Sequence, residues 1–95
     1  MNIPVVIKTL KELSNWLDCS KSNQEKLYEI INELEDPELT EFRLQQLKFE
    51  LSTKMSFHPK CFGDIYVPGF IGDGTPNAWI NYLAHVADIC QNNLS

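Results

Sequence analysis

Apolar residues recur every three or four positions through most of this 95-residue chain, and this spacing is the pattern of helices that bury one face. The first apolar stripe consists of Val6, Leu10, Leu13 and Leu17. It predicts a helix over residues 4–18, since Pro4 is tolerated in a first helical turn.

The second helix is predicted over residues 23–35. Ser22 and Glu25 have the S-x-x-E spacing of a capping box, in which each side chain hydrogen-bonds a backbone N–H of the other residue at a helix start. The apolar stripe of this helix consists of Leu27, Ile30, Ile31 and Leu34. Asp36-Pro37 ends the helix because the residue before proline is disfavoured in the helical conformation.

The third helix is the longest predicted, over residues 37–56, because proline suits the first helical position. Its main apolar stripe consists of Leu39, Phe42, Leu47, Leu51 and Met55. Leu44 and Phe49 lie outside that stripe. We therefore expect this helix either to lie between other elements or to show part of its apolar surface to a partner.

The last helix is predicted over residues 76–91, with Thr75 as its N-cap and Pro76 at its first position. The expected buried stripe consists of Trp79, Leu83, Val86 and either Ile89 or Cys90. Residues 57–75 match no helical period and predict a long irregular loop. The sequence therefore predicts an all-α single domain, residues 1–95, with about four helices.

The predicted loop holds all four glycines of the chain and many large apolar side chains, so it is not typical of a plain linker. Val67-Pro68-Gly69-Phe70 suits a type II turn, since proline presets φ and glycine accepts a positive φ. An alternative is a conformational switch, because an exposed X-Pro bond can isomerise slowly between cis and trans. Aromatic residues commonly anchor interfaces, and the candidate partner-binding residues here are Phe62, Tyr66 and Phe70.

The charge of the chain bears on the class of its partners. The net charge is -5, and residues 25–41 contain seven acidic residues against a single lysine. Phosphate contacts need Lys and Arg, so we expect neither sequence-specific nucleic-acid binding nor attraction to an anionic membrane. The acidic segment is interpreted as a solvated helix face, or else as a docking surface or nucleic-acid mimic.

The remaining features favour a cytoplasmic, non-catalytic protein. The chain has three cysteines, Cys19, Cys61 and Cys90, which cannot all pair with one another and include no C-x-x-C motif, so a disulfide scaffold is not expected. The sequence also shows neither the pattern of a signal peptide nor that of a membrane span. His58 and Cys61 could ligate a metal or form a nucleophile and base, but a structural zinc site needs four ligands at recognisable spacing. We expect no catalytic residue, no metal and no cofactor.

In its length, its acidic helical character and its Tyr66-Val67-Pro68-Gly69-Phe70 loop, the chain resembles the small anti-RecBCD accessory recombination proteins of lambdoid, Salmonella-type phages. The resemblance covers the whole chain. It implies a non-enzymatic protein that binds the host RecBCD helicase-nuclease through its RecC subunit and redirects its response to Chi sites. It also implies a host cyclophilin-type peptidyl-prolyl isomerase as a second partner, with Pro68 between Val67 and Gly69 as the matching position.

Two other binding functions remain open on the residues alone. An immunity or antitoxin protein would share the acidity and the helices, and would bind a basic nuclease toxin. A DNA-mimic inhibitor would need acidic residues at phosphate-like spacing on its folded surface. An enzyme is the least favoured class. A metal assay that detects bound zinc would be the simplest observation in favour of an enzyme.

Overall fold

The computed structural model describes residues 2–55, 61–65, 67, 70 and 78–94. Within these residues there are four α-helices: α1 (Ile3–Trp16), α2 (Lys21–Glu35), α3 (Glu41–Lys54) and α4 (Ala78–Asn93). Short 3-10 turns follow α1 at Leu17–Cys19 and precede α4 at Phe62–Asp64. These described ranges contain no strand, and the predicted all-α fold is confirmed.

One apolar cluster is shared by all four helices, with α1 packed on α2 and α4, and α4 packed on α3. The stripes predicted for the first two helices are confirmed, since each of their members is at most 5% exposed. These members are Val6, Leu10, Leu13, Leu17, Leu27, Ile30, Ile31 and Leu34. In α4 the buried residues are Ala78, Leu83, Val86 and Cys90.

The helices α1 and α4 run in opposite directions. At one end the amide of Asn2 donates to the carbonyl of Asn93 at 2.8 Å, which joins the start of α1 to the end of α4. At the other end the rings of Trp16 and Trp79 both contact Phe70. The pair of helices is therefore tied together at both ends.

The predicted capping box at the start of α2 is wrong. The helix begins two residues earlier than predicted, at Lys21, with Ser20 as its N-cap residue. The Ser20 hydroxyl accepts from Nδ2 of Asn23 at 2.9 Å and from no backbone N–H of the helix. Gln24 donates from Nε2 to the carbonyl of Ser14 at 2.8 Å, and so ties the start of α2 to the end of α1.

The third helix also starts later than predicted, at Glu41 and not at Pro37. Asp36 is extended, and its side chain accepts from the amide of Glu38 at 2.9 Å, so the residues after it form a turn. Thr40 then caps α3, since its hydroxyl accepts from the amide of Arg43 at 3.1 Å. The Thr40 hydroxyl thus satisfies one of the backbone N–H groups that have no partner within the first turn of a helix.

Much of the predicted loop over 57–75 lies outside the described residues, as do Thr75 and Pro76. The short turn at Phe62–Asp64 falls within that loop and was not predicted. Phe62 is fully buried in the core, and Nε1 of Trp79 donates to its carbonyl at 2.9 Å. This turn is therefore packed under the start of α4.

Replacing Phe62 with Ala should lower the free energy of unfolding by about 3–5 kcal/mol, because it leaves a cavity in the core. The matched control is Phe49→Ala, which removes a ring that is 74% exposed and should change stability by no more than about 0.5 kcal/mol. Urea denaturation of both variants measures the difference. Equal losses would contradict this assignment of core and surface.

Candidate protein-docking surface

The third helix carries apolar residues on two opposite faces. An α-helix turns by about 100° per residue, so Leu44, Leu47 and Leu51 share one face. These three leucines are between 0% and 4% exposed and belong to the core. Phe42 and Phe49 share the opposite face and are each 74% exposed.

The predicted stripe of α3 is corrected at two positions. Phe42 was expected in the buried stripe, and Leu44 was expected outside it. The structure reverses the two, because Leu44 is in register with Leu47 and Leu51 and faces the core that α3 shares with α4. Of the two alternatives expected for this helix, the structure shows exposed apolar surface, and Phe49, which lay outside the predicted stripe, is on the exposed side.

Phe42, Gln45, Gln46 and Phe49 form the outer face of α3, and all four are exposed. The two amide side chains lie between the two rings, and Arg43 and Glu50 line one edge of the same shallow groove. The centre of the face therefore bears no formal charge. An apolar, aromatic centre with a polar rim is the usual anatomy of a protein interface.

Arg43 connects α3 to α2 beside the outer face. Its guanidinium donates from Nε to Oε1 of Glu33 at 2.9 Å and from Nη2 to Oε2 at 2.8 Å, a bidentate pair that joins α3 to α2. Nη1 also reaches Oε1 of Glu50 at 3.4 Å. The hydrogen bond with Glu33 is the main cause of a raised Arg43 pKa. A planar fork of this kind gives the contact between the two helices a defined geometry.

Part of the acidic segment is neutralised within the fold. Glu33 pairs with Arg43, and Glu35 lies 3.8 Å from Nζ of Lys11. Glu25 and Glu29 are exposed on α2. The uncompensated acidic surface is therefore smaller than the sequence count alone suggests.

Phe70 is the centre of an aromatic cluster where α1 ends and α4 begins. Its ring lies 4.9 Å from that of Trp16 and 5.2 Å from that of Trp79, both in edge-to-face geometry. The ring of Tyr82 lies 5.2 Å away, and burial is the main cause of a raised Tyr82 pKa. Phe70 thus joins the predicted loop to two helices.

The segment around the predicted proline turn is anchored on both sides. The amide of Phe70 donates to the carbonyl of Val67 at 3.3 Å, and Val67 is 8% exposed. Pro68, Gly69 and Tyr66 lie outside the described residues. The candidate anchors of the loop are therefore placed differently: Phe62 in the core, where its ring is not available to a partner in this conformation, and Phe70 half-buried.

Within the described residues no group of three or more His, Cys, Asp and Glu side chains could hold a metal ion. His58 lies outside those residues. The three cysteines are reduced thiols, and burial raises the pKa of Cys90 to about 11. None of the described helices has the length and apolarity to cross a membrane. No protein-family model, curated protein or solved structure matches this chain.

Replacing Phe70 with Ala should weaken the near-ultraviolet circular dichroism of the tryptophans, because both indole rings lose an edge-to-face neighbour. The same change should lower the free energy of unfolding by about 2 kcal/mol, since the ring is partly buried among other aromatic rings. Phe42→Ala, outside the cluster, is the matched control. An unchanged spectrum for Phe70→Ala would contradict the cluster.

Proposed function

We propose that this protein acts by binding another protein, and that its main partner is the host RecBCD helicase-nuclease, contacted through the RecC subunit. The single observation that carries the binding function is the outer face of α3, with Phe42 and Phe49 each 74% exposed on the side opposite the core. Large exposed aromatic rings are costly in water and are common anchors of protein interfaces. The choice of RecBCD rests on the resemblance to the phage anti-RecBCD proteins.

Binding through this face would redirect the processing of DNA ends by the host enzyme, in the host cytoplasm, to favour phage recombination. A chain of this size can cover about 800 Å² of a partner, which is enough for a stable interface. The net charge of -5 adds a long-range attraction to a DNA-handling enzyme with basic surface. The aromatic face supplies the contact, and the charge raises the association rate.

The second proposed partner is a host cyclophilin-type prolyl isomerase, which would act at Val67-Pro68-Gly69. Two contacts support this part of the proposal. Val67 is buried and the ring of Phe70 is held by three aromatic neighbours, so the residues on either side of Pro68-Gly69 are fixed to the body of the protein. At a proline whose sequence neighbours are anchored in this way, a change of isomer would act on a defined part of the chain.

The double variant Phe42→Ala with Phe49→Ala should weaken binding to purified RecBCD by about thirtyfold or more, because it removes both proposed anchors. Surface plasmon resonance with immobilised RecBCD measures the affinity. Tyr28→Ala is the matched control, since it removes an aromatic ring of similar size that is 43% exposed on α2. Thermal unfolding of both variants checks that the fold is kept.

If the wild-type protein does not bind RecBCD, the choice of partner fails. If it binds and the double variant binds equally well, the outer face of α3 is not the contact. The exposed Glu25 and Glu29 favour one alternative, an immunity-type protein that binds a basic nuclease. Retention of such a nuclease from host lysate, with loss on Glu25→Gln and Glu29→Gln, would support that function instead.

The proline site has a separate test. A Pro68→Ala variant should lose the isomerase from a pull-down of host lysate while it keeps RecBCD, because the two partners are assigned to different surfaces. Mass spectrometry of the retained proteins gives both readouts at once. Retention of the isomerase by the variant would overturn the assignment of Pro68.

A further inference from the structure

A groove at the turn between α2 and α3 lies apart from the outer face of α3, and we call it the turn groove. Its volume is about 450 Å³. Four apolar side chains, contributed by α1, α2, the turn and α3, line it: Ile3, Leu34, Leu39 and Leu44. Leu34 and Leu44 are each 4% exposed, and the other two are half-buried against the same core. The floor of the turn groove is therefore an edge of the hydrophobic core.

Two carboxylates, those of Asp36 and Glu41, line the same groove, and both residues are exposed. One oxygen of Asp36 accepts from the amide of Glu38, which leaves the other oxygen for a further donor. Among the described residues, no lysine or arginine lies within ion-pair distance of either carboxylate. Arg43, the cation nearest to them in the sequence, is paired with Glu33. The acidic rim of the groove is therefore not neutralised by the described part of the chain.

The helix ends around the turn groove do not cancel this charge. A helix carries about half a unit of positive charge at its start and about half a unit of negative charge at its end. The starts of α1 and α3 and the end of α2 all line the groove, at Ile3, Glu41 and Leu34. Together they amount to a fraction of one positive charge, against the full negative charges of two carboxylates. The groove is therefore electronegative.

We infer that the turn groove binds an arginine side chain of the protein partner. An arginine has the two chemical parts that this groove would hold: a stem of methylene groups that packs on apolar surface, and a charged head that keeps polar contacts. The stem would lie on the leucines of the floor, and the guanidinium would donate to Asp36 and Glu41. This inference deepens the proposed function and rests on it, since it takes the ligand to be part of another protein.

Charge complementarity favours arginine over other occupants of the turn groove. An acidic segment would meet like charges there, which suppress binding. An uncharged apolar side chain would fill the floor and gain nothing from the carboxylates. Lysine has a similar stem, but its ammonium is a compact and strongly hydrated charge, whereas the planar guanidinium forms bidentate hydrogen bonds with carboxylates. An arginine on the basic surface of a DNA-handling enzyme meets these requirements.

The test is an NMR titration of the isotope-labelled protein with two matched peptides, acetyl-Leu-Arg-Leu-amide and acetyl-Leu-Gln-Leu-amide. We expect the arginine peptide to shift, in a saturable manner, the backbone amides that surround the groove, namely those of Ile3, Leu39, Glu41 and Leu44. The glutamine peptide should bind at least about fivefold more weakly, because it keeps the apolar part and lacks the charged hydrogen bonds.

The double variant Asp36→Asn with Glu41→Gln should also bind the arginine peptide about fivefold more weakly, since it removes both charges of the rim. The asparagine keeps an oxygen that can accept from the amide of Glu38, so the turn is preserved. The matched control is Glu25→Gln with Glu29→Gln, which removes the same charge from exposed positions on α2. Thermal unfolding of both variants checks that the fold is kept.

Three results would overturn the inference: equal binding of the two peptides, no shift at the groove, or equal weakening by the two double variants. Putrescine, a diamine without a guanidinium, is titrated as a further control. Shifts of the same size with putrescine at the same concentration would show a general attraction of cations, and would also overturn the arginine site.

Surface plasmon resonance with immobilised RecBCD separates this inference from the proposed function. The double variant Asp36→Asn with Glu41→Gln should bind RecBCD about fivefold more weakly than the wild type does, and unchanged binding would overturn the placement of the arginine on this partner. If the arginine peptide binds at the groove but the wild-type protein does not bind RecBCD, the arginine site stands and the proposed partner fails. If RecBCD binds but the peptide titration fails, the proposed partner stands and the arginine site is overturned.

Discussion

The burial of one leucine stripe of α3 determines which face of that helix is exposed to solvent. Leu44, Leu47 and Leu51 enter the core that α3 shares with α4, and that contact sets the rotation of α3 about its axis. Because the helix is apolar on two opposite sides, burying one side exposes the other. Phe42 and Phe49 are consequently presented at 74% exposure, and the proposed binding of a partner through this face depends on this rotation.

Two further contacts join the helices. The bidentate pair of Arg43 with Glu33 joins α3 to α2 on one side of the molecule. Where α1 ends and α4 begins, the ring of Phe70 packs edge-to-face on Trp16 and Trp79. The first contact lies beside the outer face of α3, and the second involves Phe70, the residue that follows Pro68-Gly69 in the chain. The two proposed binding surfaces are therefore supported by separate interactions, which is why they can be tested separately.

The helix boundaries show where sequence reasoning succeeds and where it fails. Regular apolar spacing predicted the stripes of α1 and α2, because in those helices a single face is apolar and must be buried. The start of α2 was misplaced because Ser20, and not Ser22, is its N-cap residue, and the start of α3 was misplaced because the helix begins after Thr40 and not at Pro37. The choice among caps depends on what the neighbouring helix offers, as when Gln24 bonds the carbonyl of Ser14.

The sequence by itself determined that the chain is helical and acidic, and that its third helix has more apolar surface than one face can hold. Helical spacing places Leu44, Leu47 and Leu51 on one face of α3 and Phe42 and Phe49 on the opposite face, but it could not decide which of these two faces is buried. It also could not distinguish the buried Phe62 from the exposed Phe49. Tertiary structure decided both points, because the burial of an aromatic ring depends on which helices surround it and not on its own neighbours in the chain.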